Sequence, residues 1–287
     1  MKALTPVLAV LAMIVAVWYV AAVFMNAQWE RDQAERAGIE ISFAQIVPLT
    51  MVQERPVLPA PHQVIAELIK STLGMAVNSK RSLVFHAWVT ISATLLGFAI
   101  GTLAGILLAI GIVYNRAMDM SVMPWAIASQ TIPILAIAPM IIVVLNSMGV
   151  TGLIPKAVIS AYLSFFPVVV GMVKGLRSPE AAQLDLLRTY SAAGNQVLWG
   201  LRLPSSVPYL FTSLKVGVAA SLVGTIVGEL PTGAVAGLGA RLLSGSYYGQ
   251  TVQIWAALFA AAIVAASLVA IVGFAERVTL RRMGIRP

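Results

Sequence analysis

The sequence predicts an all-α membrane protein with six transmembrane helices. Of its 287 residues, 59% are hydrophobic and only 10% are charged, and the mean hydropathy is +0.90. A soluble domain carries about 25% charged residues, so the surplus apolar surface must be covered by lipid. Six segments approach the roughly 20 apolar residues that a helix needs to cross a bilayer. These segments are Leu4–Met25, Trp88–Val113, Met123–Leu145, Ala157–Val173, Tyr209–Leu230 and Val252–Ala275.

The first span, assigned to residues 1–26, has two interpretations. Lys2 precedes the apolar run, and Ala22 or Ala27 could end a cleaved signal peptide. However, the uncharged run is longer than the apolar core of about 7–15 residues that a signal peptide has. We therefore expect a retained membrane anchor.

The distribution of Lys and Arg predicts that both termini lie in the cytoplasm. With this orientation 11 of the 19 basic residues face inward, namely Lys2, Arg116, Lys174, Arg177, Arg188, Arg202, Lys215, Arg277, Arg281, Arg282 and Arg286. Most of the others lie in one long external loop, where the positive-inside rule is weak. The net charge of +8 is therefore mostly a topology signal, and nucleic acid is not an expected partner.

That external loop covers residues 27–87. Its charged opening, Trp29 to Arg36, is expected to prolong the first helix. After three prolines, apolar residues recur at helical spacing and predict an amphipathic helix at the membrane interface; they are Val64, Ile65, Leu68, Ile69 and Leu73. A packing element and a contact with an external partner both remain open for this helix.

Small and polar residues mark two further spans. Glycines at positions 97, 101 and 105 lie on one face of the second span and predict close helix packing. Pro133 and Pro139 predict a kink in the third span. The polar residues before that kink, Ser129, Gln130 and Thr131, either line a pathway or make interhelical hydrogen bonds.

Two charged residues lie toward the ends of the fifth span. Glu229, at the outer end, is either a solvated helix end or part of an outer gate or external contact. Lys215, nearer the inner end, is expected to extend its ammonium group to the lipid headgroups. No charged residue falls in the central half of any span. Together with the absence of Cys, this predicts no catalytic residues and no metal site.

The fourth and fifth spans are joined by a polar, basic loop at residues 175–208. Ser178, Pro179 and Glu180 predict the start of a short helix, and Gly194-Asn195 is expected to break it. A second apolar stripe follows, and Pro204 with Pro208 is expected to stop and restart the chain before the fifth span. An inert connector and a docking segment are the two interpretations of this loop.

The 175–208 loop resembles the cytoplasmic signature of bacterial ATP-binding-cassette importer permeases of the type I fold. That pattern reads E-A-A, three residues, G, nine residues, I, one residue, L-P. With Leu203-Pro204 as the anchor, Leu201 takes the isoleucine position, Ser191 the glycine position and Asp185-Leu186-Leu187 the E-A-A position. Serine in place of glycine removes backbone freedom at this point.

Further short motifs, in order from about residue 55 to 280, are similar to the branch of nitrate, sulfonate and taurine permeases and to permeases for thiamine-precursor pyrimidines. They are Leu58-Pro59-Ala60-Pro61, the stretch from Pro133 to Pro139, Phe165-Phe166-Pro167, Gly175-Leu176-Arg177, Pro208-Tyr209 and Val227-Gly228-Glu229-Leu230.

The resemblance implies a multi-pass permease of the bacterial inner membrane with a type I domain over residues 88–275, five of the spans and a cytoplasmic tail at 276–287. Implied partners are ABC ATPase subunits that bind ATP and Mg, a second permease chain (identical or different), a periplasmic solute-binding protein and lipid. This chain would hold no cofactor; it has no G-x-x-x-x-G-K-[S/T]. The implied ATPase-coupling residues are Asp185, Arg188, Ser191, Ala192, Ala193, Gly194, Asn195, Leu203 and Pro204.

The implied solute is a small anion or organic molecule, with nitrate, sulfonates, taurine and pyrimidine-like compounds all open. A secondary transporter, or another polytopic protein not driven by ATP, is the alternative. It would typically show internal repeats with ionisable residues at the midplane.

Overall fold

A computed structural model of the chain describes residues 4–231 and 234–284. Within these ranges the chain is helical and contains no strand. The helices are α1 Leu4–Arg36, α2 Phe43–Thr50, α3 Pro61–Thr72, α4 Leu83–Tyr114, α5 Arg116–Ser129, α6 Ile134–Ser147, α7 Leu153–Leu176, α8 Ala181–Thr189, α9 Gly194–Val197, α10 Leu203–Glu229, α11 Leu238–Tyr247 and α12 Thr251–Arg282. Lys2 and Arg286, which contributed to the topology prediction, lie outside the described residues.

Five of these helices are long and apolar enough to cross a bilayer: α1, α4, α7, α10 and α12. The predicted third span is instead split into α5 and α6, whose axes differ by 98° across a break of four residues. Pro133 is the N-cap of α6 and has no N–H to continue the α5 hydrogen-bond ladder, so the expected kink becomes a break. Counted as one span, the bent pair gives the predicted total of six in the described chain.

One compact unit comprises residues up to Ala87 together with Ala240–Ala261. Helix α1 continues through the charged stretch to Arg36, as predicted. Asn26 is buried in this unit: its side chain donates to the Leu58 carbonyl and accepts from the Val57 and Leu58 N–H groups. One side chain thereby satisfies three backbone groups of the proline-rich strap that precedes α3.

Helix α3 is the amphipathic helix expected in the external loop. Its Val64 side chain is buried, whereas Ile65 and Ile69 are exposed on the opposite side. Helix α2 was not predicted, because its apolar run is only eight residues long and contains Pro48. Near the other end of this unit, Trp18 of α1 packs against Trp255 and Phe259 of α12.

The second unit comprises Trp88–Gly239 and the chain from Ala262 onward, and small residues let its helices approach closely. A Cβ atom at Gly97 or Gly101 would collide with Ser160 or Ser164 of α7, which confirms the predicted packing face. On α7 itself, Gly171 faces Ser213 of α10 in the same way. Helices α4, α7 and α10 therefore pack with backbones in near contact.

The apolar core of this unit lies at the α7 end that leads into the 175–208 loop. It is formed by Ala109, Ile112, Val168, Val169, Met172, Val173 and Leu176. Leu198 and Leu203, from the loop and the start of α10, pack against this cluster. The loop is thus anchored to the helix core by side chains from its second half.

Candidate functional site

The first helix of the 175–208 loop does not start at Ser178, as the sequence predicted. The Ser178 hydroxyl donates to the Gly175 carbonyl at the end of α7 (2.7 Å) and does not cap the next helix. Glu180 is the N-cap instead, and its N–H donates to the Gln183 side chain at 3.1 Å. Helix α8 therefore starts at Ala181, because Ser178 is already used to close the preceding helix.

The break after α8 is built around Ser191 and not around Gly194-Asn195. Ser191 has φ +53, a left-handed conformation that favours glycine. Its N–H donates to the Arg188 carbonyl (2.9 Å), and the Ala192 N–H donates to the Leu187 carbonyl (3.0 Å). These two bonds form a Schellman ending of α8. Gly194 is instead the first residue of α9.

A glycine in the type I permease pattern has a physical reason at this position. Ser191, which the alignment placed at the pattern's glycine, is the only non-glycine residue with positive φ in the described chain. The register anchored on Leu203-Pro204 therefore aligns the pattern's glycine with the point where the backbone turns left-handed.

Helix α8 projects its polar side chains into the open. Asp185 and Arg188 form an ion pair at 2.9 Å, and both side chains are largely exposed. Leu184 and Leu187 are half-buried, whereas Leu186 is 56% exposed. The helix thus presents a surface free to contact another molecule.

The other residues predicted for coupling fall into two groups. Ser191, Ala193, Gly194 and Asn195 are exposed, and Ala192, Leu203 and Pro204 are half-buried.

Pro204 does not stop the helix, as had been expected: the helical path is continuous from Gly194 through Glu229. A π-turn at Leu198–Arg202 precedes the proline, and the Leu203 N–H bonds there to the Leu198 carbonyl. This wider turn allows a residue without an N–H to follow.

Contacts on both sides of α8 attach the loop to the helices of its own unit. Upstream, Arg177 pairs with Asp119 in the first turn of α5 at 2.8 Å. Downstream, the Tyr114 hydroxyl at the end of α4 donates to the Gly194 carbonyl at 3.1 Å. Arg202 lies over the Tyr114 ring, with Cζ 5.6 Å from its centroid, and donates to the Leu176 carbonyl at 2.8 Å.

Glu229 forms a second cluster at the opposite end of α7, and the expectation of a solvated helix end is wrong. Its side chain is fully buried. One carboxylate oxygen lies 3.5 Å from the Lys156 ammonium, and both oxygens accept from the Thr90 hydroxyl at 3.0 Å. The Gly239 N–H donates to the other oxygen at 2.9 Å. A buried carboxylate is tolerated here because each oxygen has partners.

The Glu229 cluster also holds the segment that follows α10. Lys156 donates to the Ala236 carbonyl (2.8 Å), and the Leu238 N–H donates to the Thr90 hydroxyl (2.8 Å). Gly237 has φ +129, and a Cβ there would collide with the Glu229 carboxylate. Residues 234–239 are therefore fastened to α4, α7 and α10 by one carboxylate and its neighbours.

A row of buried hydroxyl groups leads away from Glu229 between the same three helices. Thr94 donates to Thr225 at 3.0 Å, Ser221 donates to the Thr94 carbonyl at 3.0 Å, and the Ser160 and Ser221 hydroxyls lie 2.5 Å apart. All four side chains are fully buried. They are satisfied by one another, so they bind helix to helix and leave no donor for a solute.

A cavity of about 480 Å³ adjoins Lys156. Its walls come from α4, α6, α7 and the segment after α10, and they are mostly apolar; they include Val89, Ala93, Ile142, Asn146, Leu153, Pro155, Pro231 and Val235. Lys156 and Asn146 supply polar groups at its edge.

The polar residues predicted before the kink lie at the end of α5. Ser129 and Thr131 donate their hydroxyls to α5 carbonyls, and the Tyr162 hydroxyl of α7 donates to the Ser129 carbonyl at 2.5 Å. The Gln130 amide nitrogen is buried without a hydrogen-bond partner among the described residues. Both interpretations, a pathway wall and helix contacts, thus keep support at this break.

The Lys215 ammonium pairs with Glu276 of α12 at 2.5 Å, and the Lys215 side chain is 35% exposed. No residue pattern singled out Glu276 as the partner of Lys215, or Lys156 as the partner of Glu229. Lys156 lies in the first turn of α7. The pattern that could have revealed such a pair is two residues of opposite charge near the same end of two spans.

The family described as binding-protein-dependent transport system inner membrane component matches residues 101–285. The formylaminopyrimidine transport permease protein of Halalkalibacterium halodurans is 30% identical over 190 residues, which cover 66% of this chain and 71% of that protein. The riboflavin transport system permease protein of Chloroflexus aurantiacus is 30% identical over 196 residues (68% and 71%). The putative aliphatic sulfonates transport permease protein of Bacillus subtilis is 24% identical over 247 residues (85% and 84%).

Proposed function

Because the chain belongs to the family of binding-protein-dependent transport system inner membrane components, we propose that it forms the solute passage of an ABC importer in a bacterial inner membrane, with both termini in the cytoplasm. Members of this family are non-catalytic membrane subunits that work with an ATPase and a solute-binding protein. The membership decides against the secondary transporter considered above. In this orientation the 175–208 loop is cytoplasmic and the Glu229 cluster lies toward the periplasm.

The 175–208 loop is the proposed contact with the ATPase. The observation that carries this proposal is the arrangement of α8: its Asp185–Arg188 face is exposed, while both flanks are tied to membrane helices. Ser191, Ala193, Gly194 and Asn195 are exposed and have short side chains. A partner can therefore approach the backbone of this turn closely. Leu203 packs against the apolar core beneath this contact, and the half-buried Pro204 follows it in the first turn of α10.

Coupling then requires that the loop move as a body. The ATPase subunits bind ATP and Mg, and closure of their dimer would displace α8 together with the helices fastened to it. A nucleotide shifts the membrane helices only if the ATPase binds the two permease conformations with different affinity. The continuous path from Gly194 to Glu229 gives this movement a direct route along α10 to the opposite membrane face.

For the outer end we propose a gate formed by Glu229 and the segment that it holds. Lys156, Thr90 and Gly239 fix the carboxylate, so breaking this one cluster would release residues 234–239.

At the bend between α5 and α6 we propose that Ser129, Gln130 and Thr131 face the pathway. The Gln130 amide nitrogen supports this, because it is buried without a hydrogen-bond partner in the part of the chain that the structure describes, and such a group is costly without one.

The proposed solute is a small organic molecule or anion. The similar permeases are named for formylaminopyrimidine, riboflavin and aliphatic sulfonates, and these names support a compact polar compound. A second permease chain, identical or different, completes the pathway in the membrane. Residues 1–26 provide the first span, 27–87 the periplasmic loop, 88–275 the transmembrane domain and 276–287 the cytoplasmic tail.

The test is co-purification of this chain with the ATPase subunits of the proposed importer. Ala192→Arg places a long cation in the turn after α8 and is expected to abolish ATPase attachment while leaving membrane insertion intact. Ala66→Arg, on the exposed side of α3, is the matched control and should leave attachment unchanged. Retention of the ATPase by Ala192→Arg at the wild-type level would contradict the proposed contact.

A further inference from the structure

Tyr114 and Arg202 occupy the point where three helix ends meet the 175–208 loop. Tyr114 is the last residue of α4, Arg202 is the last residue of the π-turn that leads into α10, and Leu176 is the last residue of α7. The Tyr114 hydroxyl donates to the Gly194 carbonyl, the Arg202 guanidinium lies over the Tyr114 ring, and the same guanidinium donates to the Leu176 carbonyl. Two side chains thus connect α4, α7, α9 and α10.

The chemistry of this connection favours Arg and Tyr specifically. Planar guanidinium groups stack on aromatic faces and keep their N–H donors free in the plane, so Arg202 can contact Tyr114 and Leu176 at once. Leu176 is fully buried, and its carbonyl at a helix C-terminus carries partial negative charge. A lysine at position 202 would keep the charge, but it could not both lie flat over the Tyr114 ring and donate a directed hydrogen bond to the Leu176 carbonyl.

The connection also lies where the backbone departs from α-helical geometry. A π-turn inserts an extra residue per turn and often marks a functional point in a helix. Here the turn ends at Arg202 and separates α9 from the long helix α10. Bending at this turn would otherwise absorb a displacement of α8 before it reached α10.

Helix α8 lacks a comparable contact. Its charged side chains pair only with each other in the described chain, and its end is defined by the strained turn at Ser191. A displacement of α8 therefore reaches the membrane helices through its flanks. The downstream flank has the Tyr114–Arg202 connection, which joins the loop to α4, and which adds a second link to α7 besides the chain itself.

We infer that Tyr114 and Arg202 are positioning residues that transmit movement of the 175–208 loop to α4 and α7, so that three spans move together and not α10 alone. The inference rests on the proposed function of the loop as the ATPase contact. We expect these two residues to determine how much solute is imported per ATP hydrolysed. They should not determine whether the ATPase attaches, since neither belongs to the exposed α8 surface.

The experiment uses the full importer, reconstituted in proteoliposomes with its ATPase and binding protein, and measures solute imported per ATP hydrolysed. Tyr114→Phe removes one hydrogen bond and keeps the ring; Arg202→Lys keeps the charge and removes the stacked fork. Each is expected to lower the ratio about two- to tenfold, the range that corresponds to losing one hydrogen bond or one stacking contact. The double variant should lower it little further, because both changes break one connection.

Matched controls are available in the same unit. Tyr209→Phe removes only a hydroxyl and keeps the ring that lies 5.8 Å from the Lys174 ammonium, and Arg116→Lys changes an exposed arginine that forms no ion pair within the described chain. Both controls should keep the wild-type ratio. ATPase co-purification and thermal stability are measured for every variant, so that a general loss of folding is separated from a loss of coupling.

The outcomes separate the inference from the proposed function. An unchanged import ratio in both Tyr114→Phe and Arg202→Lys would overturn the inference while leaving the permease function intact. Strictly multiplicative losses in the double variant would also overturn it, because the residues would then act separately. Failure of the wild-type chain to retain an ATPase would instead refute the proposed contact itself.

Discussion

The Glu229 carboxylate and the Lys156 ammonium lie 3.5 Å apart at the ends of two different membrane helices, and the side chains are 0% and 12% exposed. An ion pair so shielded differs from a surface salt bridge, because removing one partner leaves the other charge without compensation. The pair also fixes the segment after α10, since Lys156 bonds to Ala236 and Glu229 to Gly239. Structural stability and the proposed gate therefore depend on the same two residues.

Lys156→Met is expected to lower the free energy of unfolding by about 3–5 kcal/mol, because Glu229 would then remain buried without its cation. The measurement is thermal unfolding of the purified chain in detergent. Lys70→Met, at an exposed position of α3, is the control and should change the stability by less than about 0.5 kcal/mol. Replacing both partners by Met and Leu should recover part of the loss, and strict additivity would contradict the described pairing.

Gly237→Ala should destabilise the chain by more than backbone strain alone explains. The new Cβ would meet the Glu229 carboxylate, and the backbone at φ +129 disfavours any side chain. Gly149→Ala is the matched variant, since Gly149 also has positive φ (+78) but open space around the added Cβ. Thermal unfolding should rank Gly237→Ala as the more harmful change; equal effects would show that Glu229 does not sit against this glycine.

Ser191→Gly is expected to stabilise the turn after α8 by about 0.5–1 kcal/mol, because glycine adopts the left-handed conformation without a Cβ penalty. The readout is the rate of limited trypsin cleavage after the exposed Arg188, which should fall about two- to fivefold as local opening becomes rarer. Ser191→Val should act in the opposite direction, since β-branched residues resist positive φ. Faster cleavage of the glycine variant would contradict the described turn.

Lys215 and Glu276 provide a second test of paired charges along α10. Lys215 lies 14 residues before Glu229, which places the two ion pairs of this helix about 21 Å apart. Glu276→Gln should reduce stability less than Lys156→Met does, because the Lys215 side chain is more exposed and can reach water. The same unfolding measurement decides; a larger loss for Glu276→Gln would show that the inner pair is the more deeply shielded one.

The helical architecture was predictable from hydropathy because lipid forces long apolar helices, and the glycine spacing of α4 correctly indicated its packing face. The details that failed depend on which hydrogen-bond partner a residue finds. Ser178 closes α7 and does not begin α8, and Pro204 follows a π-turn and does not break the chain. Local patterns allow both outcomes, and only tertiary packing decides between them.

The candidate sites show the same division. The sequence singled out Glu229 by its charge, but its burial depends on Thr90 and Lys156, which are 139 and 73 positions away in the chain. The loop register could be derived from a linear pattern and matches the turn at Ser191. Tyr114 and Arg202 had no linear signal, because their relation exists only where three helix ends meet.

The sidedness of the 175–208 loop can be measured with a single cysteine, because the chain contains none of its own. Ala193→Cys places a thiol at the exposed turn after α8, and Ala66→Cys places one in the external loop as a control. A membrane-impermeant maleimide should label Ala193→Cys only in inside-out vesicles, with protection when the ATPase is bound, and Ala66→Cys only in intact spheroplasts. Labelling of Ala193→Cys in intact spheroplasts would place the loop on the periplasmic side and contradict its role as the ATPase contact.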